Sequence, residues 1–415
     1  MLGVGIFYEY MEILRNCIVQ LFETYVPLYP LLFTRKQINR PIKVGLLTNE
    51  IPPVIYGGVA TWIVNFMAMF DGDERYEIIP IFLAYNDKLP EEIKMKYPRL
   101  RVIHEKQEIK HTFQDIDICV NNLWIALDSI RYIKEMYPSL NMVTVCHSLI
   151  RMENLTNLGS CYTSNFNQQE KTFEVSDYVV LISEAEKEYY DTFHYGQFPA
   201  KTRVIYNSYK PKYDNVECDV DYSCNNIGYI GRHVPRKRPE LPLMSVTCNQ
   251  MEDIQVYNMG VDYDKYGNEY WKKLEKEYPE ILNVIPFTSD KSVKETYFQN
   301  IGIGASTAIY EPFGYTTCEL LDRRIPMVVA DIDGPKEIID SVREYVYPYT
   351  VDIGDFPSDI QNFTSAFQKV LDTSPEVRKT NAEKARKALD LFRPPMIRKQ
   401  WIHLFEEIFE NNVGS

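Results

Sequence analysis

The run IKVGLLT, residues 42 to 48, is apolar apart from Lys43 and shows no polar–apolar alternation. A strand covered by helices on both faces has this character, whereas a half-solvated strand alternates. Comparable runs follow in YEIIPIFLAY, LRVIHE, DIDICVNN, NMVTVCHS and DYVVLIS, with helical patterns between several of them. Strands that alternate with helices pair through crossovers, so the pattern predicts a doubly wound parallel α/β sheet. In LISEAEKEYY, Ser183 is expected to cap a helix, with Glu186 completing a capping box three residues on.

Past RVIYNSYKP the pattern restarts. NNIGYIG, DIQVYNMG, LNVIPF, IGIGAS and IPMVVADID read as the strands of a second such sheet. The stretch PKYDNVECDVDYSCN, residues 211 to 225, is polar and aperiodic and marks the boundary. The expected organisation is an extension over 1–40, a first Rossmann-like domain over 41–210 and a second over 211–393. The tail breaks at Pro394-Pro395 and continues as an amphipathic helix over 394–415 with Trp401, Leu404, Phe405 and Ile408 inward. A chain of 415 residues exceeds what one hydrophobic core usually serves, which agrees with two domains.

Composition limits the function classes. The 58 acidic residues outnumber the 45 basic ones, giving a formal net charge of −13. Nucleic acid is therefore not the expected partner, although one small phosphorylated ligand needs only a few local donors. None of the eight cysteines forms a C-x-x-C pair and several sit in apolar runs, so a zinc site and a disulfide framework are not expected. A reducing, cytoplasmic setting is the expectation. In residues 1–33, Glu9, Glu12, Arg15 and Glu23 interrupt the apolar character that a membrane span of about 20 residues needs. A basic region before a short apolar core is absent, so a secretion signal is not expected. The segment reads as an amphipathic helix ending near Pro27 and packed on protein, with peripheral contact to a membrane surface as the alternative.

Candidate chemistry follows the strands. Gly57-Gly58 stands between the first strand and a helix, where a bare backbone and helix amides can approach an anion, or where a tight turn simply needs glycine. His147 ends the strand MVTVC, placed to hydrogen-bond a substrate hydroxyl or to serve as a satisfied structural histidine. GRHVPRK puts Arg232 and Lys237 in a loop free of carboxylates, a pairing that suits a diphosphate, with Arg236 and Arg238 assigned to a solvated basic surface. In YEPFGYTTCE, Pro312 disfavours helix at Glu311, and a helix is expected to open at Phe313 or Gly314. The amides of Phe313, Gly314 and Tyr315 can then hold an anion, with Glu311 and Glu319 accepting from sugar hydroxyls. The bland reading has Glu311 complementing the helix dipole and Glu319 pairing with Arg323 at i+4. On the decapeptide alone the two readings stand level. ADIDGPKE adds Asp331, Asp333, Gly334 and Glu337, and an Asp-x-Asp can hold a metal and a diphosphate, but the spacing recurs at 115–117, 219–221 and 262–264.

Taken in order, TNEIPPVIYGGV, CHS, DYVVLIS, VIYNS, GRHVPRK, EPFGYTTCELL and DGPKEII resemble the retaining GT-B glycosyltransferases of the group-1 type (family four), over roughly residues 42–410. The most specific part is the glutamate pair at 311 and 319, separated by seven residues as in that family's signature. The resemblance implies a GT-B fold, two Rossmann-like domains facing a cleft, with the C-terminal helix crossing back to the first. It implies transfer of a hexose from a nucleotide-sugar, GDP-mannose before UDP-sugars, to a glycan, lipid or small acceptor, with no metal or other cofactor. Glu311 would contact the transferred sugar, Glu319 the ribose, Arg232 and Lys237 the diphosphate, and His147 the sugar near its reacting carbon. Gly57, Gly58, Phe313, Gly314, Tyr315 and Thr316 would complete the donor site. Ser208, Arg238 and Asp333 stand where the family commonly has glycine, and Asp333 brings an acid to the sugar pocket. A metal-dependent transferase built on Asp331 and Asp333, and an inactive nucleotide-sugar-binding protein, are the alternatives.

Overall fold

Thirteen strands form two sheets in the computed structural model, which describes residues 40–413 apart from 53–56, 85–88, 90, 124–125, 158–162, 194–196, 215, 217, 262–264, 287 and 289. The first sheet has β1 Ile42–Thr48, β2 Tyr76–Leu83, β3 Arg101–Ile103, β4 Ile118–Asn121, β5 Asn141–Cys146, β6 Tyr178–Leu181 and β7 Lys201–Val204. The second has β8 Ile227–Arg232, β9 Val256–Val261, β10 Leu282–Pro286, β11 Ile303–Ser306, β12 Met327–Ala330 and β13 Tyr347–Tyr349. All ladders are parallel, in the orders β3-β2-β1-β4-β5-β6-β7 and β10-β9-β8-β11-β12-β13. The architecture is the expected pair of Rossmann-like sheets. β7 and β13 are the two strands that the apolar runs do not announce. Both are short edge strands, β7 reading KTRV and β13 YPY, and an edge needs less apolar cover than a centre.

In each sheet the winding reverses beside the first strand, between β1 and β4 and between β8 and β11. Open α/β sheets bind ligands at such a switch, beyond the carboxyl ends of the strands. The loops after β1, β8 and β11 carry Gly57-Gly58, Arg232–Lys237 and Glu311 respectively. The chain order therefore delivers the candidate residues to the two switch points.

The helix Pro394–Val413 begins at a proline pair and lays its apolar face on the helix Gly58–Met69 of the first domain. Ile397, Trp401, Leu404, Phe405 and Ile408 are buried, as the amphipathic pattern predicts. Trp401 meets Trp62 and Phe66 edge to face, at ring-centre separations of 5.9 and 5.0 Å. Burying side chains of this size contributes about 2 kcal/mol each, so this contact fastens the end of the chain to the first domain. The expected extension over 1–40 lies, but for Arg40, outside the described residues.

Candidate functional site

On the first-domain side, Gly57 precedes the helix Gly58–Met69 with φ 174°, an extended backbone open to any residue. A Cβ on Gly58 would meet nothing within 4 Å. Neither glycine is demanded by the protein's own packing, and what the pair provides is room in front of a helix start. Glu50, just past β1, turns its carboxylate to this place, with Oε2 3.4 Å from where a Gly57 Cβ would stand. Burial raises its pKa, and the Arg232 charge partly offsets this. Glu50 was not among the candidates read from the sequence; its only signal there is an acid directly after the first strand.

His147 follows β5, and its Nε2 lies 2.8 Å from Asn122 Oδ1. Asn122 Nδ2 donates to Leu47 O and Val120 O, so its oxygen is the acceptor and His147 Nε2 carries the hydrogen. Burial holds the imidazole pKa down at about 3, and the ring is neutral. Nδ1 is left with a lone pair, the form that accepts from a hydroxyl.

Across the cleft, Lys237 does not stand in a loop free of carboxylates. Its Nζ pairs with Glu311, brought over from the loop after β11. Burial lowers the Lys237 pKa to about 8 against the opposing pull of Glu311. Burial would raise Glu311, but Lys237, Arg236 and Arg232 outweigh it and hold the carboxylate below its ordinary value. Arg232 is exposed at the end of β8, and its charge acts on Glu50, Glu153, Lys237 and Glu311. Lys237 and Glu311 are thus in contact, and Arg232 shares their field.

The expectation that Arg236 and Arg238 belong to a solvated surface is wrong. Arg236 is 2% exposed and donates to Tyr310 O at 3.1 Å and to Glu153 Oε1 at 3.0 Å. Arg238 is buried and paired with Asp359. Each is neutralised by a carboxylate distant in sequence, which a local reading of GRHVPRKR cannot show.

The helix of the glutamate motif runs Tyr315–Asp322, starting just after the expected Phe313 or Gly314, with Gly314 as its cap at φ 107°. That left-handed angle favours glycine, and a Cβ there would lie 3.2 Å from Pro335 Cγ. Phe313 is buried against Phe392, ring centres 5.5 Å apart. The first intrahelical bond is Cys318 N to Gly314 O at 3.1 Å, so the Tyr315, Thr316 and Thr317 amides precede it at the positive end of the helix dipole. The Thr316 hydroxyl donates to Ile230 O on β8 at 3.3 Å, tying the helix start to the neighbouring strand. Glu319 does not pair with Arg323 at i+4: it accepts from Lys294 at 2.8 Å, while Arg323 donates to Glu295 at 2.6 and 2.8 Å.

The two domains meet around the same loops. The Tyr310 hydroxyl accepts from Leu149 N at 2.8 Å, two residues past His147, so the His147 and Glu311 loops are fixed against one another. Glu337 accepts from Glu184 N at 3.0 Å and Ala185 N at 2.7 Å, the first amides of the helix Glu184–Thr192. Ser183 caps that helix as expected, accepting from Glu186 N at 3.1 Å, but the capping box is not completed. The Glu186 carboxyl turns inward instead, fully buried beside Tyr310 and Leu149, and burial pushes its pKa up to about 8 although both neighbours lower it. Asp331 pairs with Arg343, and Asp333 accepts from Tyr189 Oη at 2.7 Å and Glu311 N at 3.1 Å. Among the described residues, no group of three or more His, Cys, Asp or Glu is arranged to hold a metal ion.

No protein-family model matches this chain, and no curated protein sequence does. Solved structures match it by fold. HepE from Anabaena, in complex with UDP and glucose, is similar with a TM-score of 0.69 at 15% identity, over 88% of this chain and 100% of that one. Sucrose-phosphate synthase from Thermosynechococcus elongatus is similar with a TM-score of 0.69 at 15% identity, over 89% of this chain and 100% of that one. A variant of TarM from S. aureus, in complex with fondaparinux, alpha-GlcNAc-glycerol and UDP, is similar with a TM-score of 0.65 at 12% identity, over 88% and 99%. These neighbours are GT-B glycosyltransferases, and at such identities the likeness establishes that this chain has the GT-B architecture.

Proposed function

We propose that the protein is a retaining glycosyltransferase that moves a hexose from a nucleoside-diphosphate sugar to a glycan, lipid or small acceptor without a metal ion. The observation that carries this reading is the Lys237–Glu311 pair beside Arg232, carried by the loops after β8 and β11, between which the second sheet reverses its winding. In the ligand-free protein Lys237 is neutralised by Glu311. A donor diphosphate is the better partner for the cations, since it offers more oxygens at higher charge. On binding it takes Lys237 and Arg232 and frees Glu311 to accept from the sugar hydroxyls. The amides at the start of Tyr315–Asp322 complete the anion site, and Glu319 takes the ribose. As the sugar–phosphate bond breaks, charge grows on the leaving phosphate and the two cations stabilise it, the electrostatic term usually largest in catalysis. The acceptor oxygen bonds to the same face of the sugar carbon, and its proton passes to the departing phosphate oxygen. Neutral His147 accepts from a hydroxyl near that carbon.

GDP-mannose is the first donor, on the motif resemblance. A UDP-sugar is the second reading, favoured by the UDP held in the HepE and TarM complexes. The metal-dependent reading is disfavoured because Asp331 is committed to Arg343. Among the described residues no helix is long and apolar enough to cross a membrane.

The test is a thermal-shift panel of GDP-mannose, UDP-glucose and ADP-glucose, followed by hydrolysis of whichever stabilises the protein. A ligand at 100 times its Kd adds about 2.7 kcal/mol of stability. Glu311→Ala and Lys237→Ala should each abolish turnover in a folded protein, and a chelator should leave it unchanged. Wild-type activity in either variant removes the assignment. Binding without turnover on any acceptor points to an inactive nucleotide-sugar-binding protein.

A further inference from the structure

The Asp333 backbone is left-handed, at φ 49°. An L-residue accepts that conformation at a cost that glycine avoids, and strain of this kind persists where the side chain is needed. The side chain is 5% exposed and both oxygens are engaged: Oδ1 accepts from Tyr189 Oη at 2.7 Å and Oδ2 from Glu311 N at 3.1 Å. An ordinary capping role does not explain it. The cap of its own helix, Asp333–Ile339, is Ile332, and both Asp333 bonds lead away from that helix. The next residue works on the same target, since Gly334 N donates to Glu311 O at 3.1 Å. A Cβ on Gly334 would stand 2.3 Å from Phe313 O, so this close approach requires glycine. The Glu311 peptide groups are therefore held on both sides by two adjacent residues.

We infer that Asp333 is a positioning residue, fixing the backbone of Glu311 and making that position depend on the first domain through Tyr189. It touches no substrate in this scheme and acts through Glu311. One turn along the same helix, Glu337 accepts the first two amides of Glu184–Thr192, the helix that carries Tyr189. One helix of the second domain thus reads the place of one helix of the first, and passes it to the carboxylate assigned to the sugar. With Tyr189 withdrawn, Asp333 loses one partner and the left-handed turn loses part of what holds it. The inference rests on the reading of Glu311 as the sugar contact.

The experiment uses the full chain and four variants: Asp333→Gly, Asp333→Asn, Tyr189→Phe and the double variant Asp333→Gly/Tyr189→Phe. UDP affinity is measured by calorimetry, kcat and KM from hydrolysis of UDP-glucose and GDP-mannose, and folding by melting. Asp333→Gly should leave UDP affinity and KM within roughly twofold and lower kcat by roughly tenfold or more, the signature of an interaction realised in the transition state. Asp333→Asn keeps an acceptor for Glu311 N and tolerates the left-handed backbone, and should recover most of the activity. Tyr189→Phe should lower kcat by less, and the double variant should be no slower than Asp333→Gly alone, because the two act in one chain. Should Asp333→Gly not fold, Asp333→Asn and Tyr189→Phe carry the comparison. Unchanged kcat in Asp333→Gly, or fully additive losses, overturns the inference while the proposed function stands. A wild-type protein that none of GDP-mannose, UDP-glucose and ADP-glucose stabilises, and that turns over none of them, removes both.

Discussion

Lys294 Nζ lies 2.8 Å from Glu319 Oε2, and beside it Arg323 and Glu295 join the same two helices, Lys291–Gln299 and Tyr315–Asp322, in the opposite charge order. The Arg323 pair has two bonds and a guanidinium 3.8 Å from the Phe298 ring centre, and it suffices to dock the helices. Lys294 instead engages one oxygen of Glu319, Oε2.

A ribose role for Glu319 therefore predicts a selective loss. Glu319→Ala should weaken whichever of GDP and UDP the wild type binds about tenfold, the size of one charge-assisted hydrogen bond. It should leave the 2′,3′-dideoxy form of that nucleotide unchanged, as read by calorimetry. Equal losses for both nucleotides would take Glu319 out of ribose recognition.

Glycines at the cleft separate room for a ligand from room for the fold. Gly58→Ala meets no atom within 4 Å and should melt within a few degrees of the wild type while losing nucleotide affinity. Gly334→Ala drives its Cβ to 2.3 Å from Phe313 O and 2.4 Å from Phe313 Cα, and should lower the melting temperature markedly. The reverse order of melting temperatures would contradict the geometry.

Glu186 gives a pH signature. Its pKa rises from 4.5 to about 8 on folding, chiefly by burial. Between those values the folded chain keeps a proton that the unfolded chain has lost. Stability must fall as pH rises through that window and level off above about 8. Asp333, pushed up to about 6 from 3.8 chiefly by burial, adds a smaller loss of the same sign at lower pH. Glu186→Gln should remove most of the loss between pH 5 and 8 in denaturant titrations. An unaltered slope would place the buried proton elsewhere.

Arg236 and Glu153 test the other side of burial. Arg236→Met removes the cation that Glu153 pairs with, leaving it the fields of Arg232 and Lys237 and the Ser148 hydroxyl, and should cost about 1.5–3 kcal/mol. Adding Glu153→Gln should recover much of it, because the uncompensated charge is gone. A double variant as unstable as the single one would mean that packing, not charge, is what Arg236 supplies.

How much could be read from the sequence follows from where the determinants lie. The central strands are legible because burial on both faces writes itself into consecutive residues, as in IKVGLLT. β7 and β13 are not, because an edge strand with residues such as Lys201 or Pro348 needs no such run. Arg232, Lys237, Glu311 and Glu319 stood out by motif, but their partners did not. Lys237 meets Glu311 from 74 positions away, and Arg236 meets Glu153 from 83. The left-handed backbone of Asp333 leaves only a faint trace, an aspartate where the resembling family commonly has glycine.

Glu337 seated on the amides of Glu184 and Ala185 has a consequence for engineering. Swapping whole domains between proteins of this architecture is an obvious route to new donor–acceptor combinations. Here a second domain grafted onto a foreign partner would bring its carboxylate to a helix start that already has its own cap, or to none at all. A chimera should therefore keep Ser183 and the start of the Glu184–Thr192 helix as they stand here in the first domain, whatever seam joins it to the second.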